Sequence, residues 1–394
     1  MRGTSLISVL LTATLGASPL RAAESHVTPE MERQVRIGVD AVYKMDFDGA
    51  ERAYERVRDL KPGHPYGYFG LALVTWMRYT YGTDQTDQEL MAPFAERVGT
   101  AVSKGKAWIK AHPRDAEAHM ALGATHGLRA RLLVARREWI GAYLNGRRAI
   151  KYVRVAVKLD PELYDAYLGI GMYDYYTDLY PHFIRILARL LLRGNRKRGI
   201  ETLRTVAEKG NYTRMTARLL LVEIYNHDPF GDQDPEKAIV MMREVRKLYP
   251  DSPMFHSAQL ISLYHGKHFE RVVAEASGFV KLASSGVYRP LDQAKGYSIL
   301  GAAYWMLGRE ELALRAFDSG SRITLGDRLT RWAVWALIRA GNIHDLRGRR
   351  EKAVELYRLA LRQPDNWGFR SMAKRHISRP YRAEKDGFAV APPR

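Results

Sequence analysis

The chain has 394 residues, of which 46% are hydrophobic, enough for one extended domain or two compact ones. Its 62 lysines and arginines outnumber 43 acidic residues, and a net charge of +19 favours anionic partners: acidic proteins, lipid head groups or nucleic acid. The absence of cysteine excludes disulfides, thiolate metal sites, a cysteine nucleophile and a lipid-modified cysteine.

The N-terminus opens with Met1-Arg2, the apolar stretch from Leu6 to Ala17 and the small residues Ala22-Ala23. These are the parts of a secretory signal peptide, assigned to residues 1–23. The apolar stretch falls short of the about 20 residues that span a bilayer. The expectation is therefore cleavage and export, with a bacterial periplasm as the destination. Export puts nucleic acid last among the anionic partners.

Thr28-Pro29-Glu30 reads as a helix start, a threonine cap followed by proline in the first turn, and Val35, Gly38 and Val42 continue at helical spacing. Met45 to Asp48 breaks that helix. Ala50, Tyr54 and Val57 then mark one face of a second helix that ends at Lys61-Pro62-Gly63, where proline stops the hydrogen-bond ladder. The same offsets recur near the C-terminus as Gly301, Ala313, Phe317 and as Gly341, Ala353, Tyr357, Pro364: alanine follows glycine by twelve and the aromatic follows alanine by four. Small residues let paired helices approach, and the aromatic fills the gap.

On these residues the chain resembles the tetratricopeptide repeat family, whose unit is a helical hairpin of about 34 residues. The resemblance runs from Pro29 to Arg379. Weaker copies surround Ala149, Val153, Ala156 and Pro161; Ala238, Met242, Val245 and Pro250; and Phe269, Val272 and Ala276. Further helix starts are read at Asp160-Pro161-Glu162, Asp234-Pro235-Glu236 and Ser252-Pro253. The resemblance implies an all-α, right-handed superhelical solenoid of about seven to nine antiparallel hairpins over residues 28–379. The helices from Ala116 to Val134 and from Arg137 to Leu159 exceed the unit length. Thr83 to Asp87 and Asn226 to Asp232 read as inserted loops. Residues 380–394, with several prolines and no apolar period, read as a disordered tail.

The centre of the chain departs most from the pattern. Tyr164, Tyr167, Tyr173 and Tyr176 crowd one segment together with Asp174. Such rings suit a groove for a peptide or amphiphile, and tyrosines at this spacing equally form the packing face of a long helix. The run from Gly169 to Tyr176, Leu179-Tyr180-Pro181 and Ala217 to Tyr225 is similar to the tetratricopeptide-repeat-39 family, which implies a helical adaptor connected with lipid or inclusion handling. Next, Phe183, Leu187 and Leu191 alternate with Arg189 and Arg193, the composition of an interfacial membrane helix and also of a core helix with a basic end. Arg136 and Arg137 belong to one of several basic clusters that would steer an acidic partner or simply face solvent.

Catalytic signals are poor. His119 and His126 lie seven apart, and His265 and His268 flank Lys267, but neither pair has an acidic third ligand at a persuasive spacing. No phosphate-binding glycine loop, nucleophile elbow or zinc-protease helix is present. The reading is a non-catalytic exported scaffold without cofactor or metal, binding a protein or peptide in its concave groove, with the positive charge favouring an acidic one. The alternative is a carrier on anionic lipid that uses the segment 183–192.

Overall fold

A computed structural model describes residues 25–136, 138–177, 194–363, 368–383 and 388–391. Among them, sixteen helices pair in chain order into eight antiparallel hairpins. These are α1 (Pro29–Tyr43) with α2 (Phe47–Leu60), α3 (Pro65–Met77) with α4 (Met91–Ala111), α5 (Ala116–Ala135) with α6 (Trp139–Leu159), and α7 (Tyr167–Tyr176) with α8 (Arg196–Lys209). The array continues with α9 (Arg214–His227) and α10 (Pro235–Leu248), α11 (Pro253–His265) and α12 (Phe269–Ser284), α13 (Asp292–Met306) and α14 (Glu310–Ser321), and α15 (Arg331–Leu346) and α16 (Arg350–Leu361). A single helix, α17 (Phe369–Ser378), packs on the last hairpin. The architecture is an all-α solenoid of tetratricopeptide-like hairpins.

The recurring glycine and aromatic are direct partners. A Cβ on Gly38 would lie 2.7 Å from the ring of Tyr54, one on Gly301 would lie 2.9 Å from Phe317, and one on Gly341 would lie 2.6 Å from Tyr357. Ala50, Ala313 and Ala353 are fully buried on the facing helices. In the degenerate centre the close approach persists with other residues: Gly123 meets Val153, and Gly171 and Gly199 bring α7 and α8 almost backbone to backbone.

Helix starts follow local chemistry. Thr28 accepts from the Met31 amide at 3.2 Å, Asp46 from Gly49 at 2.8 Å and Asp234 from Lys237 at 3.1 Å. Proline opens α1, α10 and α11 as expected. Asp160-Pro161-Glu162 does not start a helix: Asp160 caps the C-terminal end of α6, a turn follows, and a short 3-10 turn, Tyr164–Ala166, leads into α7. The two long helices are confirmed at 20 and 21 residues.

Successive first helices pack on one another along the array more than second helices do, so the first helices form one layer. Second helices keep a solvated face, whereas α15 is buried without interruption from Trp332 to Ile343. What covers that layer comes from far away in sequence. After a π-turn at Arg78–Gly82, the inserted loop reaches the C-terminal hairpins: the Trp332 amide donates to Asp84 at 3.2 Å, and Arg289 donates to the Tyr81 carbonyl. Ser252 donates to the Tyr43 carbonyl at 2.8 Å, and the Tyr43 and Thr216 hydroxyls lie 2.7 Å apart. The array therefore folds back on itself.

Two measurements test these contacts. Gly341→Ala should cost about 1–3 kcal/mol because the buried Tyr357 ring cannot move aside; Gly99→Ala in α4, where a Cβ would meet nothing within 4 Å, should gain about 0.5–1 kcal/mol. Equal effects in urea melts would refute the close-approach argument. Burial pushes the Asp84 carboxyl from 3.8 up to about 6, against the lowering fields of Lys295 and Arg331. Between those values the unfolded chain has released a proton that the folded chain keeps, so stability falls as pH rises through this window and is level above it. Asp84→Asn should match the wild type at pH 3.5 and exceed it at pH 7 by up to about 3 kcal/mol. Parallel stability curves across that range would sink the assignment.

Candidate peptide-binding face

The tyrosine-rich segment does not converge on one groove. Tyr164 and Tyr167 stand together at the α6–α7 junction with centroids 6.2 Å apart, Lys209 lying over Tyr164 at 5.0 Å. Tyr173 lies beneath Arg154 at 5.8 Å, while Tyr176 meets Tyr175 edge-on at 5.1 Å. The carboxylates nearby hold the fold. Asp174, 1% exposed, takes a two-pronged bond from Arg198 at 2.7 and 2.9 Å. Asp165 accepts the Asn211, Tyr212 and Thr213 amides at 2.8–3.0 Å, pinning the turn between α8 and α9. Asp228 anchors the second inserted loop: burial alone would raise its carboxyl, but the amides of Asp232 and Phe230, the Tyr175 hydroxyl and Arg196 together bring it below the usual range.

Arg136 is exposed at the end of α5. The tip of that long hairpin also exposes Ile140 (79%) and Leu144 (43%). Arg137, Phe183, Leu187, Arg189, Leu191 and Arg193 lie outside the described residues. No described helix is long and apolar enough to cross a membrane.

The histidine pairs sit in packing roles. His119 faces the Pro113 carbonyl at 3.1 Å, and His126 bonds Asn145 at 3.2 Å and stacks on Tyr152. His265 abuts His227, and His268 contacts Glu236 at 2.7 Å. Among the described residues no group of three or more histidines and carboxylates is placed to hold a metal.

The face that does converge belongs to α11, α13 and α15, and the sequence reading passed over it. Arg339 is 2% exposed in the middle of α15. Its Nη1 donates to Asn342 at 3.0 Å; Asn342 in turn donates to the Tyr357 hydroxyl, which donates to Asp345 at 2.9 Å. The guanidinium lies 3.5 Å from the centre of the Phe388 ring, 5.0 Å from that of Trp335 and 5.5 Å from that of Tyr381. Trp305 and Phe317 complete the socket, with centroids 5.8 and 6.1 Å from Phe388.

Phe388 and Val390 belong to the segment expected to be disordered. Part of it is instead packed: Tyr381, Phe388 and Val390 are buried and Ala389 and Ala391 less so, while Pro380, Arg382 and Ala383 are exposed. Burial thus alternates over four residues, and the backbone bends at Val390 and Ala391. The strand is held by its main chain, as Tyr264 donates to the Phe388 carbonyl and Trp335 Nε1 donates to the Val390 carbonyl at 3.3 Å. The Tyr381 amide donates to Asp345 at 2.7 Å. A signal was present in the sequence: Arg339 is the lone charge in an apolar run from Trp332 to Ile343, and the proline-rich tail carries Phe388 and Val390 two apart.

No family model and no curated protein sequence matches this chain. Among solved structures it is similar to yeast Tom70, at 11% identity and a TM-score of 0.39 over 88% of each chain. It is also similar to a tetratricopeptide repeat protein from Parabacteroides merdae, at 13% identity and a TM-score of 0.34 over 79% of this chain and 100% of that one. The class is set by the hairpin geometry itself: a tetratricopeptide-like helical solenoid whose last three complete hairpins hold an extended stretch of polypeptide.

Because a buried arginine contributes little net stability compared with an apolar residue of its size, Arg339→Met should change the unfolding free energy by no more than about 1 kcal/mol in the destabilising direction. Tryptic cleavage after the exposed Arg382 should accelerate several-fold as the tail loosens. Unchanged cleavage kinetics would mean that Arg339 does not hold the tail.

Proposed function

We propose that this chain is an exported, non-catalytic scaffold that binds a segment of a protein partner along its layer of first helices. One observation carries the reading: Tyr264, Trp305, Trp335 and Arg339, from three successive hairpins, converge on a single extended strand. Aromatic rings and arginine in a desolvated patch are what dominate binding energy at protein interfaces. The donors on Tyr264 and Trp335 grip carbonyls, which every polypeptide offers. The charge of +19 steers acidic partners towards the molecule, with exposed arginines such as Arg136 at its edges. The basic start, apolar stretch and small residues within 1–23, read as a signal peptide, support export.

Photocrosslinking tests this directly. A benzoylphenylalanine at Met306, beside Trp305, should capture a specific protein in the exported fraction; the same probe at Leu248, exposed on α10, should not. Trp305→Ala should lower the yield at Met306 at least about five-fold, the loss of one interface anchor. Equal capture at both positions would refute the inner-face reading, and a lipid adduct in place of a protein would transfer the function to a lipid surface.

A further inference from the structure

We infer that the face of α11, α13 and α15 is a docking site for an extended partner segment carrying an aromatic residue and an aliphatic one two positions later, and that Phe388-Ala389-Val390 is the intramolecular stand-in which that partner displaces. The inference rests on the scaffold reading and specifies its ligand. Three features of the contact support it.

The first is the way the tail is bound. Phe388 and Val390, two residues apart, are buried against the core while their carbonyls take bonds from Tyr264 and Trp335. Recognition by pockets for alternate side chains plus main-chain hydrogen bonds is the arrangement by which proteins read extended peptides. Nothing in it requires the strand to belong to the same chain.

The second is the chemistry of the socket. Packing alone would be served by leucine at position 339. A buried guanidinium beneath an aromatic ring, oriented through Asn342, Tyr357 and Asp345, instead selects an electron-rich ring over an aliphatic side chain of similar size. The ligand's first anchor is therefore aromatic.

The third is that the segment is held without regular secondary structure. Residues 388–391 form no helix or sheet, and their carbonyls at Phe388 and Val390 accept bonds from side chains of the body. A tethered segment of this kind stays bound because its effective concentration is high, on the order of 1 mM. If the free segment binds with a dissociation constant of about 0.1 mM, the tether weakens a competitor's apparent affinity about ten-fold.

The test uses the full-length chain with Phe388→Ala and Val390→Ala, and as probe a fluorescein-labelled peptide of residues 386–392. By fluorescence anisotropy the variant should bind the probe about ten-fold more tightly than the wild type. A probe with alanine in place of its phenylalanine should not bind, and adding Arg339→Met to the variant should abolish binding. A variant that melts like the wild type yet does not bind the probe would overturn the inference and leave the tail as a cap. Should the variant not fold, a chain with a specific protease site after Ala383 is cut once folded: release of the tail and uptake of the probe support the inference, and a tail that stays through dilution overturns it. A wild-type dimer that is lost in the variant would also overturn it, since the occupant would then be a second copy. Failure of the probe with crosslinking at Met306 intact would remove this docking site and leave the scaffold reading standing; the reverse result would separate them the other way.

Discussion

The contact on which everything else depends is an aromatic ring pressed against a helix that has no side chain there. Tyr54 is the fullest case: its ring fills the space a Cβ would need on Gly38 of α1 and also on Gly70 of α3, where the distance would be 1.9 Å. One side chain of α2 thus sets the spacing within its own hairpin and the spacing to the next. Close packing makes this a rigid constraint, since interiors have few voids into which a displaced ring could move. Phe317 and Tyr357 repeat the contact against their own hairpins near the other end of the array. The regularity of the solenoid follows from that repeated fit more than from helix propensity, which glycine lowers.

Tight pairing has a consequence for the layer of first helices. The first helices α11, α13 and α15 are gripped by their own second helices and by their neighbours and are buried over most of their length. In α15 the covering is supplied by the tail and by the loop carrying Asp84. Contacts between residues 209 and 248 positions apart close the array in a way that no single hairpin specifies. Asp84 is a polar group buried in the course of that closure, and its raised carboxyl is the electrostatic cost of seating a loop in an apolar layer.

What could be read in the sequence divides along the same line. The hairpins at both ends were legible because glycine, alanine and aromatic recur at offsets fixed by helix geometry, and because Thr28, Asp234 and the prolines after them mark helix starts locally. Long-range closure left no periodic trace, so the loop at Thr83–Asp87 was recognisable as an insertion but not as a bridge. The tyrosines around α7 were conspicuous by composition, yet their directions differ, and the charges among them, Asp165 and Asp174, are absorbed by a turn and by Arg198. Clustering in sequence is not convergence in space: the face that does converge draws Tyr264, Trp305, Trp335 and Arg339 from three separate helices. The tail was misjudged because its prolines and lack of period describe a segment without secondary structure, and a strand bound in a socket needs none.

Arg339 is where local rules and the observed structure diverge most sharply. A helix as thoroughly buried as α15 would be more stable with an aliphatic side chain at that position, because taking a guanidinium out of water costs more than its hydrogen bonds return unless the geometry is complete. Here the geometry is completed by a ring that the chain brings from about fifty residues away in sequence, and by a relay ending on Asp345 that also receives the tail's own Tyr381 amide. Phe388 supplies the nearest ring, with Trp335 of the same helix farther off. Loss of Phe388 would leave the guanidinium with Trp335 and its bond to Asn342, at a cost in energy. In the proposed exchange, a partner's aromatic residue would take the place of Phe388 on the guanidinium.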